Sequence, residues 1–369
     1  MSKTVKVLEV CQRMEAAGVQ SFLMNMYRNI DSENVQMDYL VHYKEDQFFD
    51  DEIRKLGGKI YKFSVREDYN IFKYCYELFR FFRMHPEYKI IHGHMDTLGF
   101  IYLGIAKICG VPVRIAHAHN SFVQKGIKRP FRLLMIKLYS IPANSLAACS
   151  KNAGEFMFGK SNFSVIHNAI ETEKYKFNNN LRLQKRKILG LEDDDIVLGN
   201  VGRFHISKNQ VFLIDILAEL RKINSKYRLL LIGSGELENE IRHRVAEYNL
   251  DSAVTILSNR RDVNELYQVM DAFLMPSLYE GLPVTGIEAQ ASGLPCFFSD
   301  SITKDVDISN NTMFISLELK PEKWAYIVNE NLKNFDRKDV SELVIKNGYD
   351  VKTEAKKLEM KYCELVSQR

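Results

Sequence analysis

Glu280 and Glu288 frame the segment Leu278-Tyr279-Glu280-Gly281-Leu282-Pro283 and the apolar run that follows it. Residues 272–275 predict a strand and residues 284–292 a helix, so the segment is a strand-to-helix turn. The first N–H groups of such a helix have no intrahelical partners, and Gly281 lets them face a phosphate closely. One carboxylate in the loop and one on the helix can accept hydrogen bonds from different hydroxyls of a bound polyol. Glu288 stands among Ile287, Ala289 and Ala291 on a helix expected to be buried, where an unpartnered acid is costly. A surface acid and a helix cap are the plain alternatives, and the burial argument favours function.

Other segments also follow strand signals. Gly202-Arg203-Phe204-His205-Ile206-Ser207-Lys208-Asn209 comes straight after the apolar run 196–201. Its guanidinium fork and ammonium point charge suit a diphosphate, although a solvated basic loop fits the octapeptide equally well. Gly233-Ser234-Gly235 lies between a strand at 227–232 and a helix at 237–248, where backbone can approach an anion. Taken alone, a Gly-x-Gly is more often only a tight turn. His92-Gly93-His94 and His117-Ala118-His119 sit at the carboxyl ends of strands predicted over 90–94 and 113–117. Strand alternation is expected to let only one histidine of each pair point into the site. Four histidines are then not expected to form a metal site, and a histidine bonded to a ligand is favoured.

Strands are predicted at 5–10, 37–41, 60–63, 90–94, 113–117, 145–149 and 164–167, with helices near 22–30, 48–56, 71–84, 98–109 and 132–141. Residues 171–195 turn polar and read as a linker with a short exposed helix. A second alternation runs from 196 to 298, and a helix over 351–366 follows. Strands alternating with helices imply mostly parallel sheets, and 369 residues suit two domains. The expected domains are 1–170, with 351–369 packing back on it, and 171–350.

A hydrophobic share of 46% and a net charge of +4 describe an ordinary globular chain, without the concentrated positive charge of a nucleic-acid binder. Six scattered cysteines show no metal or redox spacing and suit a reducing, cytoplasmic compartment. The start lacks a signal-peptide pattern, and no apolar stretch reaches the ~20 residues of a membrane span.

Together the Gly202-Arg203…Lys208-Asn209 loop, the Gly233-Ser234-Gly235 turn and Glu280-Gly281-Leu282-Pro283 with Glu288 resemble the retaining family-4 glycosyltransferases. The likeness extends to Gly18-Val19-Gln20-Ser21-Phe22 and Ile166-His167-Asn168-Ala169-Ile170, in the flavour of enzymes that build capsular or exopolysaccharide repeats. It implies the α/β GT-B fold, two Rossmann-like domains facing each other across a cleft, the first for acceptor and the second for nucleotide sugar. Arg203 and Lys208 would hold the donor diphosphate, with Gly202, Gly233 and Gly235 close by. Glu288 would take the ribose and Glu280 the transferred sugar, beside Gly281, Leu282 and Pro283. Ser258, Asn259 and Arg260 would border the base, and Gly18 would approach from the first domain. His119 fits the family's active-site histidine, with His117 second. Ala17, Ser258 and Ala169 stand where the family favours glycine, which bears on loop shape and base preference.

The reaction this resemblance implies moves a hexose or N-acetylhexosamine from a nucleoside-diphosphate sugar, UDP by family habit, to a saccharide or lipid-linked acceptor. Charge building on the leaving diphosphate would meet Arg203, Lys208 and the helix start at 281–284. No Asp-x-Asp ends a strand, so neither metal nor other cofactor is expected. No carboxylate nucleophile is evident, which favours front-side attack with a donor phosphate oxygen helping to deprotonate the acceptor. A nucleotide-sugar epimerase, a sugar phosphorylase and an inactive sugar-nucleotide-binding partner are the competing readings.

Residues 121–139 carry Lys125, Lys128, Arg129, Arg132 and Lys137 without an acid, interleaved with Phe122, Phe131, Leu133, Leu134 and Ile136. Residues 69–88 repeat the theme with Phe72, Phe79, Phe81, Phe82, Arg80 and Arg83. Such basic, aromatic faces suit an anionic membrane surface, here the inner face of the cell membrane.

Overall fold

The computed structural model describes residues 4–15, 17–120, 129–258 and 260–368. Contacts divide the chain into two compact units, one of Met1–Ile170 with Asp350–Arg369 and one of Glu171–Tyr349.

In the first unit the strands are β1 (Val5–Val10), β2 (Val35–Val41), β3 (Ile60–Lys62), β4 (Tyr88–Gly93), β5 (Val113–Ala118), β6 (Ser145–Ala148) and β7 (Ser164–Val165). They form one parallel sheet in the order β3-β2-β1-β4-β5-β6-β7. Period-2 alternation sends neighbouring residues to opposite faces. Val7, Met37, Ile90 and Ile115 pack under helices Gly18–Asn29 and Val351–Ser367. Leu8, Leu40, Ile91 and Ala116 pack under helices Ile71–Met84, Asp96–Ile108 and Arg129–Tyr139. The strand order reverses between β1 and β4, where open α/β sheets bind ligands at their carboxyl ends.

The second unit repeats the plan with β8 (Ile196–Val201), β9 (Tyr227–Ile232), β10 (Val254–Leu257), β11 (Ala272–Met275), β12 (Cys296–Ser299) and β13 (Thr312–Ile315). Their order is β10-β9-β8-β11-β12-β13, all parallel, with the reversal between β8 and β11. Leu198, Leu229, Leu274, Phe297 and the fully buried Trp324 anchor one core.

Residues 171–195 are more than a linker with an exposed helix. They form helices Thr172–Tyr175 and Asn179–Ile188, the second packed on helix Val263–Val269. Arg182 donates to the carbonyls of Gln268, Val269 and Met270 and pairs with Asp271 at 2.6 Å. Arg186 is buried beside it, donating to Val269 O. The carbonyls at a helix end lack intrahelical partners, and a guanidinium with five N–H groups satisfies several together. A polar composition therefore conceals a packed element. Helices Val65–Asp68, Lys151–Phe158, Pro321–Leu332 and Ser341–Lys346, and strand β13, join the elements read from the sequence. Among the described residues no helix is long and apolar enough to cross a membrane.

Candidate active site

In the second unit four adjacent strands end at the residues singled out from the sequence. Gly202 to Lys208 follow β8, Gly233 to Gly235 follow β9, Ser258 and Arg260 follow β10, and Glu280 to Pro283 follow β11. Asn259 lies outside the described residues. The loops after β8 and β11 are tied at the strand-order reversal. Leu278 N donates to Ser207 O at 2.8 Å, Asn209 Nδ2 to Pro276 O at 3.2 Å, and Lys208 Nζ meets Glu280 Oε1 at 2.5 Å. Ser277 Oγ donates to the same carboxylate oxygen at 2.8 Å. Lys208 and Glu280 are thus placed by each other and by one serine, with their side chains 24% and 11% exposed. Arg203 is different: its side chain is 73% exposed, held only loosely by Glu236 at 3.4 Å.

Helix Val284–Ala291 begins just after Pro283, and no side chain caps its start. Leu282 and Pro283, just before it, are buried. Glu288 keeps separate company. Tyr175 donates to its Oε1 at 2.8 Å and Tyr267 to its Oε2 at 2.9 Å. Burial raises the Glu288 carboxyl pKa, and the two phenols oppose that rise. Each carboxylate oxygen retains acceptor capacity beyond its phenol, so a hydroxyl can still bind there.

The glycines divide by role. A Cβ on Gly233 would fall 2.0 Å from Gly202 O, and one on Gly235 would fall 2.3 Å from Phe204 O. The 233–235 turn is therefore glycine because it lies against the backbone at 202–204, which is a packing requirement. Ser258 Oγ donates to Gly233 O at 3.1 Å, and Arg260 is engaged with Asp262 at 2.6 Å. Gly18 opens helix Gly18–Asn29 in the first unit, with nothing within 4 Å of a Cβ built there.

The four histidines of the two His-x-His pairs come together, contrary to the expectation that only one of each pair would face the site. Residues two apart in a strand share a face, so His92-x-His94 and His117-x-His119 each present both rings. His92 Nε2 and His117 Nδ1 lie 3.0 Å apart, and His94 Nδ1 and His119 Nε2 2.8 Å apart. Glu9 of β1, fully buried, accepts from His94 Nε2 at 2.7 Å and from Tyr362 OH at 2.9 Å. Tyr362 OH also meets His92 Nδ1 at 2.6 Å. Burial lowers the pKa of each of these histidines, to about 3 for His94, and raises Glu9 to about 8. Phe22 closes the cluster edge-on against His117. Nitrogens of His92, His94 and His117 lie within 4.8 Å of one another, the only such group among the described residues. Both nitrogens of His92 and of His94 are already spent on hydrogen bonds, leaving this donor set engaged with itself.

Residues 182–341 match the family described as glycosyl transferases group 1. The protein EpsF of Bacillus subtilis, assigned as a glycosyltransferase, is 36% identical over 315 residues, spanning 83% of this chain and 82% of that one. The chain belongs to the group 1 glycosyltransferases. A UDP-Gal:alpha-D-GlcNAc-diphosphoundecaprenol alpha-1,3-galactosyltransferase of Escherichia coli is 25% identical over 297 residues, 76% of each chain. Anabaena HepE, crystallised with UDP and glucose, shares the fold at TM-score 0.75 and 16% identity, covering 99% of this chain and 98% of its own. The architecture is accordingly GT-B, two parallel-sheet Rossmann-like domains.

Several residues that organise this glycosyltransferase escape sequence reasoning. Tyr175 lies in the polar stretch that reads as a linker, and Tyr267 and Tyr362 read as apolar. Glu9 does carry a signal: it is the one acid in the apolar strand Val5–Val10, where burial demands a partner.

Proposed function

We propose that the chain is a retaining, family-4 glycosyltransferase that moves a hexose or N-acetylhexosamine from a UDP-sugar to a lipid-linked saccharide in cell-surface polysaccharide synthesis. The observation that carries this reading is the Lys208–Glu280 pair, which joins a cation and a carboxylate from two strand ends at the strand-order reversal. Lys208 and Arg203 hold the diphosphate, Glu280 the transferred sugar, and Glu288 the ribose between its two tyrosines. The fixed cations and the uncapped helix start stabilise charge on the departing nucleotide, so transfer proceeds without a metal ion. Front-side attack then retains the anomeric configuration. The Escherichia coli relative, named for a UDP-galactose donor and a diphosphoundecaprenol-linked acceptor, supports both substrate classes. A thermal-shift series decides the donor: UDP and UDP-sugars at about 100 times Kd raise stability by ~2.7 kcal/mol, and guanosine and adenosine counterparts do less. Transfer to a lipid-linked acceptor in EDTA, with the product's anomeric configuration read by NMR, tests the rest. An isomerised donor without acceptor, an inverted product or chelator-dependent turnover would each defeat its part.

Membrane docking is part of the proposal. Tyr69 and Phe72 are each 86% exposed and Tyr76 66%, beside the exposed Lys73, Arg80 and Arg83. Phe131 and Leu134, 62% and 51% exposed, lie with Arg129, Arg132 and Lys137 on the next but one helix, and helix Asp96–Ile108 packs against both. Phe81 and Phe82, expected on this face, are buried in the core, as is Ile136. Phe122, Lys125 and Lys128 lie outside the described residues. Exposed rings insert among headgroups while the cations meet anionic lipid. Replacing Phe72 and Phe131 by aspartate removes two apolar anchors worth ~1.5–3 kcal/mol each. Flotation with phosphatidylglycerol vesicles then falls at least about tenfold; unchanged flotation would speak for a soluble acceptor.

A further inference from the structure

Glu9, His94, His119, Tyr362, His92 and His117 form one buried hydrogen-bonded chain, and its polarity is set by proton counting. An ionised Glu9 can only accept. His94 then donates its Nε2–H to Glu9, which leaves Nδ1 to accept the Nε2–H of His119, so His119 Nδ1 carries a lone pair. On the other arm Tyr362 donates to Glu9 and accepts from His92 Nδ1–H. His92 Nε2 accepts from His117 Nδ1–H, so His117 Nε2 also carries a lone pair. These two end atoms are the imidazole nitrogens of the chain that are buried without a partner among the described residues, and their rings stack at 4.1 Å. With Glu9 ionised, above about pH 8, two neutral histidines side by side thus offer paired acceptors.

We propose that Glu9 is a positioning residue that fixes His117 Nε2 and His119 Nδ1 as acceptors, so that together they bind hydroxyl groups of a sugar substrate. The sugar class rests on the transferase reading; the wiring does not. A neutral group at position 9 has one donor and one acceptor, so one arm must reverse and its end nitrogen becomes an N–H. The groups facing Glu9 are Cys11 just after its own strand, Tyr39 on β2, His92 on β4 and His94 just after it, and Tyr362 on the last helix. Lys361 acts on the histidines from the same helix. Cys11, Tyr39 and Tyr362 are all shifted upward by burial, which leaves Glu9 as the group that titrates first as pH rises.

The test is two-bond 1H–15N spectroscopy of imidazole nitrogens in the full chain labelled with 15N-histidine. At pH 9.5 the wild type is expected to show His119 Nδ1 and His117 Nε2 both unprotonated. Glu9→Gln, which keeps the shape, should protonate one of them at every pH from 6 to 10, whereas Tyr362→Phe should leave His119 as it was. Should Glu9→Gln fail to fold, the wild-type titration decides, because the same inversion must occur with a midpoint near 8. Unchanged tautomers in both experiments would overturn the wiring, as would stoichiometric zinc in the purified protein. With UDP-sugar and acceptor, Glu9→Gln should lower kcat/KM at least about tenfold at pH 9 and abolish its alkaline rise. Inverted tautomers with normal kcat/KM would overturn the role in substrate binding. Inverted tautomers in Glu9→Gln, beside a wild type that transfers no sugar, would leave the wiring supported and defeat the transferase reading instead.

Discussion

Replacing Lys208 by alanine is expected to lower kcat/KM for transfer by about 10²–10³ while leaving the second unit folded. Two effects combine. The ammonium is the least exposed cation of the proposed diphosphate site, held against Glu280 at 2.5 Å and therefore aimed before any donor arrives. Its removal also strips Glu280, whose side chain is only 11% exposed, of its cation and leaves Ser277 Oγ as the carboxylate's donor. A site that must rearrange before binding forfeits the advantage of preorganised charge. Arg203 supplies the contrast. At 73% exposure it must be gathered in by the ligand, so Arg203→Ala should cost less, about tenfold. Because the Lys208–Glu280 pair is partly solvated, its loss should change unfolding free energy by no more than ~1 kcal/mol. Initial rates and denaturant melts on the same preparations separate the two quantities. A Lys208→Ala enzyme within threefold of wild type would remove this residue from the donor site.

The doubly wound architecture was legible because apolar runs of four to seven residues recur between amphipathic stretches, and such runs are buried on both faces of a parallel sheet. Elements with a weaker local signal escaped. Helix Lys151–Phe158 carries Gly154 in its middle, a residue that lowers helix propensity, because the Phe163 ring occupies the space where a Cβ would stand. Helix Asn179–Ile188 is polar because its arginines serve carbonyls of a neighbouring helix, and composition alone cannot show that. The site divides in the same way. Residues that follow strands could be placed, since the carboxyl ends of strands share one edge of a sheet. Partners could not: Tyr175 reaches Glu288 across 113 positions and Tyr362 reaches Glu9 across 353, separations at which spacing carries no information. The histidine pairs were readable in principle, and the misreading was one of strand periodicity.

Gly233→Ala is expected to destabilise the second unit by several kcal/mol, on the order of 3 or more, and to do so without touching a ligand. The residue has φ +152°, a conformation that L side chains rarely adopt, and its added methyl would stand 2.0 Å from Gly202 O. That oxygen belongs to backbone tied to the same turn, with Gly202 N donating to Ile232 O and Phe204 N to Ser234 O. Neither side can yield without breaking the pairs that hold the β8 and β9 loops together. The clash also displaces the chain leading to Lys208, so activity falls in the fraction that stays folded. Gly18→Ala is the internal standard. With open space around a Cβ at a helix start, it should alter stability by less than ~0.5 kcal/mol. Any loss of donor affinity in that variant would then report a ligand approaching Gly18. Should Gly233→Ala melt like the wild type and Gly18→Ala unfold instead, the assignment of Gly233 to close packing and of Gly18 to open space would be reversed.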